Sequence, residues 1–278
     1  MEPSVLMRGR LPGNYQVFSI ALSAIAGLLF GSFVNVCIYR IPRDLSVVTP
    51  RSFCPECGIQ IAWYDNIPIF SYILLRRRCR GCAQPIPARY PLVEFETACL
   101  FALVVFEYGW TLAGLKWCLF EALLVALFWT DLEERILPDE LTIGGTAAGL
   151  IFSLWVAVPS VAGNLLAPTA KTPVKSLLSA ALAAVVLVAP LWGLGALYGA
   201  VRKREGLGLG DVKLLLLIAV FLGAERGLYA LLIGAVSGSL IGAAYILATR
   251  RNASTYELPF GTFLCAGAAL VPLLSKWF

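Results

Sequence analysis

Histidine is missing from this 278-residue chain, and charged residues are few. Without histidine the chain cannot form the Ser–His or Cys–His pairs that activate nucleophiles, hold a catalytic zinc through imidazole, or run a histidine proton relay. Asp, Glu, Lys and Arg together make up only 14% of the residues. Any chemistry must therefore come from carboxylates, cysteines, lysines or hydroxyls.

Apolar residues are correspondingly abundant, at 59% of the chain. Several runs reach the roughly 20 residues that a helix needs to cross a bilayer. The composition predicts an all-α polytopic membrane protein with about eight transmembrane helices. The predicted spans are 17–37, 91–108, 114–130, 142–159, 176–200, 212–223, 227–248 and 259–274.

Two of these spans have individual features. The first lacks a small-residue cleavage site, which predicts a retained helix rather than a cleaved signal. The sixth is short, which predicts a helix that enters part of the membrane beside a cavity.

Basic residues are concentrated in four predicted loops: 38–90, 131–141, 201–213 and 249–258. These loops hold 15 of the 22 Lys and Arg residues. Cytoplasmic loops carry such an excess, so these four are predicted to face the cytoplasm, with 160–175 an external loop and both termini outside. The predicted units are an N-terminal segment with the first helix (1–37), a cytoplasmic insert (38–90) and a membrane bundle (91–278).

The insert carries two C-x-x-C pairs, with 21 residues between them. The pairs are Cys54 with Cys57 and Cys79 with Cys82. Their spacing is typical of a zinc ribbon with four thiolate ligands, which leaves no open position for a catalytic water. Two disulfides, redox thiols and a rubredoxin-like iron centre are the alternatives, the first disfavoured by a reducing cytoplasm. The other cysteines, predicted to be small core residues, are Cys37, Cys99, Cys118 and Cys265.

The insert is also basic, with eight arginines against three acidic residues. Positive-inside topology and attraction to anionic lipid headgroups explain this. No nucleic-acid partner is predicted, because interleaved aromatics and a recognition helix are missing.

Two carboxylates lie where apolar runs meet cytoplasmic loops. Asp131 ends the third span, and Asp211 follows three glycines at the start of the sixth. Asp211 could simply cap the helix that follows it. However, two carboxylates at equal depth can meet across a helix bundle, and ionisable groups at a membrane boundary usually mark function.

The loop after Asp131 is acidic on the face where basic residues should gather. It holds Glu133, Glu134, Asp139 and Glu140 against Arg135 alone. This excess predicts a basic ligand. Asp139 is predicted to be the N-cap of the fourth span.

These elements together resemble the type IV prepilin peptidases of bacterial pilus, type II secretion and competence systems, from about Gly31 to Gly261. The matching motifs are GSFVNV (31–36), RIP (40–42), both C-x-x-C pairs, WYDNIP (63–68), RYPLVE (89–94), Asp131 with LPD (137–139) and GLGDVK (208–213). The resemblance implies that Asp131 and Asp211 are the catalytic pair of a G-x-G-D aspartic protease. It also implies cleavage of a short basic leader after a glycine on the cytoplasmic side of the inner membrane, and methylation of the new α-amine from S-adenosylmethionine.

Chemistry agrees with this assignment, because a carboxylate pair that shares one proton can hydrolyse peptides without histidine. Lys213 and the helix N-terminus favour a charged Asp211, which predicts Asp211 as general base and Asp131 as general acid. Gly208 and Gly210 let the substrate backbone lie close to the pair. Glu133 and Glu134 would bind the leader's Lys and Arg residues.

Methyl transfer needs a separate site, since no Rossmann glycine motif is present. Glu94 and Asn35, with Glu96 and Asp65 as further candidates, could attract the sulfonium of S-adenosylmethionine or accept the amine proton. Glu94 could equally be a structural partner of the insert's arginines.

Two other functions fit parts of the pattern. A peptidase that has lost methylation is compatible with the same residues. A non-enzymatic channel or assembly factor with a zinc ribbon explains the spans and the cysteines, but not two carboxylates at one depth behind glycines.

Overall fold

The structure, a computed structural model, describes residues 13–158, 172–202, 208–249 and 258–273. Within these residues the secondary structure is helical, apart from two isolated β-bridges. The helices are α1 (Gly13–Arg40), α2 (Phe70–Leu74), α3 (Arg89–Tyr108), α4 (Leu112–Glu134), α5 (Asp139–Ser153), α6 (Thr172–Arg202), α7 (Leu209–Thr249) and α8 (Phe260–Leu273). Two short 3₁₀ turns, Ile41–Arg43 and Trp63–Asp65, lie in the insert. The predicted all-α class is confirmed.

Every predicted span falls on one of these helices, and spans six and seven share α7. Among the described residues, α1, α4, α6 and α7 are long and apolar enough to cross a membrane, and α8 is a shorter apolar helix. The chain is therefore a multi-pass membrane protein, while the number of about eight crossings stays a prediction. Most of the predicted loop 160–175 lies outside the described residues, but its last four residues already belong to α6.

A sharp reversal divides α7 at Gly223, where φ is 79° and ψ is −179°. A β-carbon on Gly227 would lie 3.9 Å from the Cα of Ala219, although eight residues of straight helix span about 12 Å. The two arms therefore fold back on each other, which accounts for two predicted spans in one element. Lys116 of α4, fully buried, donates its Nζ to the Phe221 carbonyl at 3.3 Å, next to the broken turn.

The part of the core that positions the two carboxylates lies between α4, α5, α8 and the first arm of α7, and the same buried cluster extends to α1, α3 and α6. The rings of Phe120 on α4 and Phe221 on α7 stack with centroids 4.6 Å apart. Asp131 lies eleven residues after Phe120, and Asp211 lies ten residues before Phe221. Both carboxylates are thus roughly 15 Å along their helices from the ring stack. A β-carbon on Gly210, next to Asp211, and one on Gly261, beside Asp131, would both contact Leu137, so α4 and this arm run antiparallel with both carboxylates at one end.

The ends of α4 and α5 follow local sequence signals. Thr111 caps α4 by accepting a hydrogen bond from the Gly114 N–H at 3.1 Å. Arg135 closes the helix in the left-handed conformation at φ 55°. The prediction that Asp139 is the N-cap of the next helix is wrong, because Pro138 occupies that position and Asp139 is the first helical residue. Its carboxylate binds elsewhere, as described below.

The insert is bounded by α1 and α3, which pack closely together. A β-carbon on Gly31 would lie 2.7 Å from the Cα of Glu94, so only glycine fits at this contact. The backbone N–H of Ile69, just before α2, donates to Glu94 Oε2 at 2.7 Å. This bond ties the insert to α3 in its second turn.

Candidate functional site

Asp131 lies in the last turn of α4 and is only 6% exposed. Its Oδ2 accepts two hydrogen bonds from Thr262, one from the backbone N–H at 2.5 Å and one from the hydroxyl at 2.8 Å. Thr262 is the third residue of α8, so the carboxylate occupies a helix N-terminus. Both donors and the helix dipole stabilise a negative charge on Asp131.

Asp211 lies in the first turn of α7, partly buried, and interacts electrostatically with Asp131. The side chain of Leu137 lies between the two segments. A β-carbon on Gly261 would be 3.0 Å from both Asp131 Oδ2 and Leu137 Cδ1, and one on Gly210 would be 3.1 Å from Leu137 Cβ. The structure thus brings both predicted catalytic residues to one site with glycines around it.

Gly208 belongs to the same site, because a β-carbon there would lie 3.4 Å from Asp211 Oδ2. Residues 206 and 207, the start of the glycine-rich stretch, lie outside the described residues. Any side chain at Gly208 or Gly210 would occupy space beside Asp211 or Leu137. Glycine at these two positions therefore keeps side chains away from Asp211 and Leu137 on this side.

The acidic loop is paired with basic residues from other parts of the chain. Three ion pairs engage it: Glu133 with Arg89 at 2.7 Å, Glu134 with Arg43 at 2.5 Å, and Asp139 with Lys213 at 2.6 Å. Lys213 was expected to favour a charged Asp211, but its ammonium holds both oxygens of Asp139 instead. Lys213 therefore does not provide the positive charge that was expected to stabilise an ionised Asp211.

Three residues of the site, Thr262, Leu137 and Gly261, were not predicted from the sequence. A signal for Thr262 was available, since a Gly-Thr pair at the start of an apolar run after a polar loop suits the first turn of a helix. Nothing near it in sequence indicates Asp131 as its partner, which lies 131 residues away.

The four insert cysteines form one cluster, as their spacing predicts. Their Sγ atoms all lie within 4.8 Å of one another, and those of Cys54 and Cys82 are 3.9 Å apart. Four thiolates about 2.3 Å from a tetrahedral ion would be about 3.8 Å apart. The cluster could bind a metal ion, and all four cysteines are free thiols, contrary to the disulfide alternative.

The two halves of the cluster are local copies of each other. Gly58 N–H donates to the Cys54 carbonyl and Ala83 N–H to the Cys79 carbonyl, at 2.9 and 3.0 Å. Both donor residues, Gly58 and Ala83, have a positive φ. In the second knuckle, the Gly81 N–H donates to Cys79 Sγ at 3.4 Å.

A cavity of about 490 Å³ lies where the insert meets α1 and α3. Glu94 and Asn35, both predicted for methyl transfer, line it together with Asp65. Asn35 donates to the Tyr90 carbonyl at 3.0 Å, while its Oδ1 is buried without a partner among the described residues. An orphan acceptor of this kind suits a ligand donor.

Other cavity walls are formed by side chains with their own constraints. The Arg80 guanidinium binds both oxygens of Asp65 at 2.6 and 2.7 Å and lowers the pKa of that carboxyl. Ile69 has φ 60°, a strained conformation for a β-branched residue. Glu96, by contrast, does not line the cavity, because it accepts a hydrogen bond from Trp129 Nε1 of α4 at 3.0 Å.

The chain matches the family described as "Bacterial Peptidase A24 N-terminal domain" over residues 25–108 and the "Type IV leader peptidase family" over residues 118–243. Proteins named "Prepilin leader peptidase/N-methyltransferase" are its relatives. That of Myxococcus xanthus (strain DK1622) is 36% identical, covering 87% of this chain and 67% of the relative.

Two further relatives with the same name are covered more fully. The protein of Neisseria gonorrhoeae is 35% identical over 91% of this chain and 90% of its own length. That of Burkholderia pseudomallei (strain K96243) is 34% identical over 90% and 84%. No solved structure matches the chain significantly.

Proposed function

Because this chain belongs to the type IV leader peptidase family, we propose that it removes the leader from prepilins and methylates the new N-terminus. The observation that carries this proposal is the meeting of Asp131 and Asp211 at one end of the bundle, beside Gly210 and Gly261. Two neighbouring carboxylates that share a proton can supply the acid and the base of peptide hydrolysis.

The hydrogen bonds of the pair support an assignment opposite to the one expected from sequence. Thr262 donates twice to Asp131, so Asp131 is the residue whose ionised form is stabilised. We assign Asp131 as the base that takes a proton from the attacking water. Asp211 is the acid that donates to the scissile carbonyl oxygen, and the proton gained by Asp131 passes to the leaving amine.

Leader binding is assigned to the rim of this site. Glu133 and Glu134 lie two and three residues after Asp131, each in an ion pair with an arginine. In this proposal a Lys or Arg of the leader takes the place of Arg89 or Arg43 in these pairs. Gly208 and Gly210 leave room for the extended backbone of the substrate.

Zinc is the metal proposed for the cysteine cluster. Four thiolates at tetrahedral spacing are the ligand set of structural zinc sites. Iron with the same ligands is the alternative. With all positions held by Cys54, Cys57, Cys79 and Cys82, the ion would stabilise the insert.

The cavity of about 490 Å³ is the proposed site of S-adenosylmethionine. Its volume lies in the range of small-molecule pockets, about 300–1,000 Å³. When bound, S-adenosylmethionine supplies a methyl group on a positively charged sulfur. Glu94 places a carboxylate in the wall to offset that charge and to take a proton from the amine, while Asn35 Oδ1 accepts a hydrogen bond from the ligand.

The proposed setting is the bacterial inner membrane, with the insert and both carboxylates on the cytoplasmic side. The excess of Lys and Arg in the corresponding loops supports this orientation. Prepilins or pseudopilins are the protein substrates, and their apolar helices remain in the bilayer during cleavage.

Intact-mass analysis of a coexpressed prepilin tests both activities in one spectrum. Asp131→Asn and Asp211→Asn should each leave the leader attached, because the substitution removes the charge and keeps the shape. The Glu94→Gln variant should still remove the leader, but the cleaved product should be unmethylated. Asp44→Asn, an exposed carboxylate of the insert, is the control and should retain both activities.

The outcomes separate the parts of the proposal. Cleavage by either aspartate variant would refute the catalytic pair. A methylated product from Glu94→Gln would remove Glu94 from the methyl-transfer site. An unmethylated product from the wild type would favour a peptidase without methylation.

A further inference from the structure

Helix α2 of the insert exposes an apolar face. Phe70, Ile73 and Leu74 are spaced i, i+3 and i+4, so they share one side of the helix. They are 58%, 68% and 60% exposed. An isolated domain in water places polar residues on such a face, so this arrangement suits a partner that is apolar.

The opposite face of α2 is already used. Ile69, Tyr72 and Leu75 line the cavity proposed for the methyl donor. Ser71 is buried, donates to the Tyr64 carbonyl at 3.0 Å and accepts from the Ile67 N–H at 2.9 Å. The helix therefore cannot rotate to bury its outer residues without opening the cavity.

Trp63 extends the exposed apolar surface. It lies in the 3₁₀ turn that the Ser71–Tyr64 hydrogen bond joins to α2, and it is 72% exposed. Tryptophan is enriched where membrane proteins meet the lipid headgroups, since its ring is apolar and its N–H is polar. Trp63 and the three α2 residues are thus four exposed, large apolar side chains on two elements of the insert that a hydrogen bond joins.

Three consecutive arginines follow the helix at once. Arg76, Arg77 and Arg78 are all exposed, and no carboxylate among the described residues forms an ion pair with them. Arginines that pair with acids do occur nearby, as Arg80 does with Asp65. The triplet is a positive surface beside an apolar one, and its complement is an anionic interface with an apolar interior.

The position of α2 relative to the membrane helices agrees with this. Asn66 and Pro68, just before α2, border a pocket that Leu29 and Phe33 of α1 also line. Both α1 residues are exposed apolar side chains on a helix suited to crossing a membrane. The segment leading into α2 therefore lies beside the lipid-facing surface of α1.

We propose that α2 and Trp63 dock on the bilayer itself. Phe70, Ile73 and Leu74 enter the boundary between headgroups and acyl chains, and the arginine triplet binds anionic headgroups. One wall of the 490 Å³ cavity is then held by the membrane. This inference concerns a lipid contact and stands whether or not the cavity binds S-adenosylmethionine.

Trp63 is a natural reporter for the test. The full-length protein and a Trp63→Phe variant are placed in nanodiscs of phosphatidylcholine with or without phosphatidylglycerol, and with or without lipids brominated near the headgroup. The difference between the two spectra isolates Trp63 from the other six tryptophans. We expect brominated lipid to quench at least half of this difference signal in anionic discs, and iodide in solution to quench little of it.

Matched charge variants test the electrostatic part. Arg77→Gln should reduce the quenching of Trp63 by brominated lipid in anionic discs, with little change in neutral ones. Asp44→Asn, which changes one charge at an exposed position elsewhere in the insert, should leave the quenching unchanged. Metal content and prepilin cleavage confirm that both variants are folded.

Two results would overturn the proposal. One is a Trp63 signal that iodide quenches freely and brominated lipid does not affect. The other is a signal that resists iodide only after a prepilin is added, which would make the surface a protein-docking site.

Discussion

The hydroxyl of Thr262 offers a direct test of how the aspartate pair works. Thr262→Val keeps the shape and the backbone N–H, which still donates to Asp131 Oδ2, and removes only the hydroxyl bond of 2.8 Å. A hydrogen bond to a charged group contributes roughly 1.5–3 kcal/mol. Since about 1.4 kcal/mol corresponds to a tenfold change in rate, kcat for leader cleavage should fall about 10- to 100-fold. Thr262→Ser keeps the donor and should recover most of the activity.

The pH dependence of cleavage tells a base from an acid. If Asp131 is the base, it works only when ionised, and a missing donor makes it easier to protonate. The fall in rate on acidification should then begin at a higher pH in Thr262→Val than in the wild type. The other ionisable groups around Asp131 are Asp211 on α7, Arg135 after α4, and Cys265 on α8. They are unchanged in both variants.

The assay is cleavage of a purified prepilin in detergent or nanodiscs across the pH range, with kcat and KM determined at each point. A rise in KM alone would indicate lost substrate binding rather than a changed base. If Thr262→Val instead displaces the alkaline limb of the pH–rate profile and leaves the acid limb unchanged, Asp131 is the acid. Equal losses in the Val and Ser variants, with no displacement of either limb, would reduce Thr262 to a packing role and refute the reasoning.

Three further predictions concern the insert and the acidic loop. Cys57→Ser with Cys82→Ser should remove the bound metal, measured by elemental analysis, and make the insert more sensitive to protease; full metal content in this double variant would rule out the four-cysteine site. Glu133→Gln and Glu134→Gln should raise KM for a leader with Lys or Arg and change kcat little. The rise in KM should be smaller at high salt, which screens exposed charges. An unchanged KM would show that the two glutamates only pair with Arg89 and Arg43. Arg80 lowers the pKa of Asp65 in the folded insert, so this pair stabilises the insert at neutral pH and ceases to do so as the pH falls below the ordinary aspartate value of about 4. Asp65→Asn should therefore lower the resistance of the insert to unfolding at pH 7, with the difference from wild type vanishing in acid; a difference that persists at low pH would assign it to packing.

The features that could be predicted from sequence are those that depend on neighbours in the chain. Apolar runs predict the helices because helical hydrogen bonds are local. The short sixth span, 212–223, and the seventh, 227–248, were predicted as separate, and α7 reverses between them at Gly223. The C-x-x-C spacing predicted the cysteine cluster because each knuckle is a local turn. The family assignment, confirmed by comparison, used ordered motifs along the chain.

Contacts between distant segments could not be predicted in the same way. Lys213 lies two residues from Asp211, yet it binds Asp139, because side chains two apart on a helix point in different directions. The excess acid of the 131–141 loop suggested a free binding surface, but Arg43 and Arg89 neutralise two of its glutamates from other elements. Local charge counts do not show which partners the fold supplies.

The same reasoning explains why the aspartate pair depends on residues far from either motif. Asp131 is held by the first turn of α8, and the depth of Asp211 depends on where α7 reverses at Gly223. Lys116 donates to the carbonyl of Phe221 next to that reversal, and the Phe120–Phe221 stack aligns α7 with α4. A change at the far end of the bundle therefore moves Asp211 along its helix axis relative to Asp131. The geometry of the aspartate pair is set by the packing of four helices, and the motifs provide only its chemical groups.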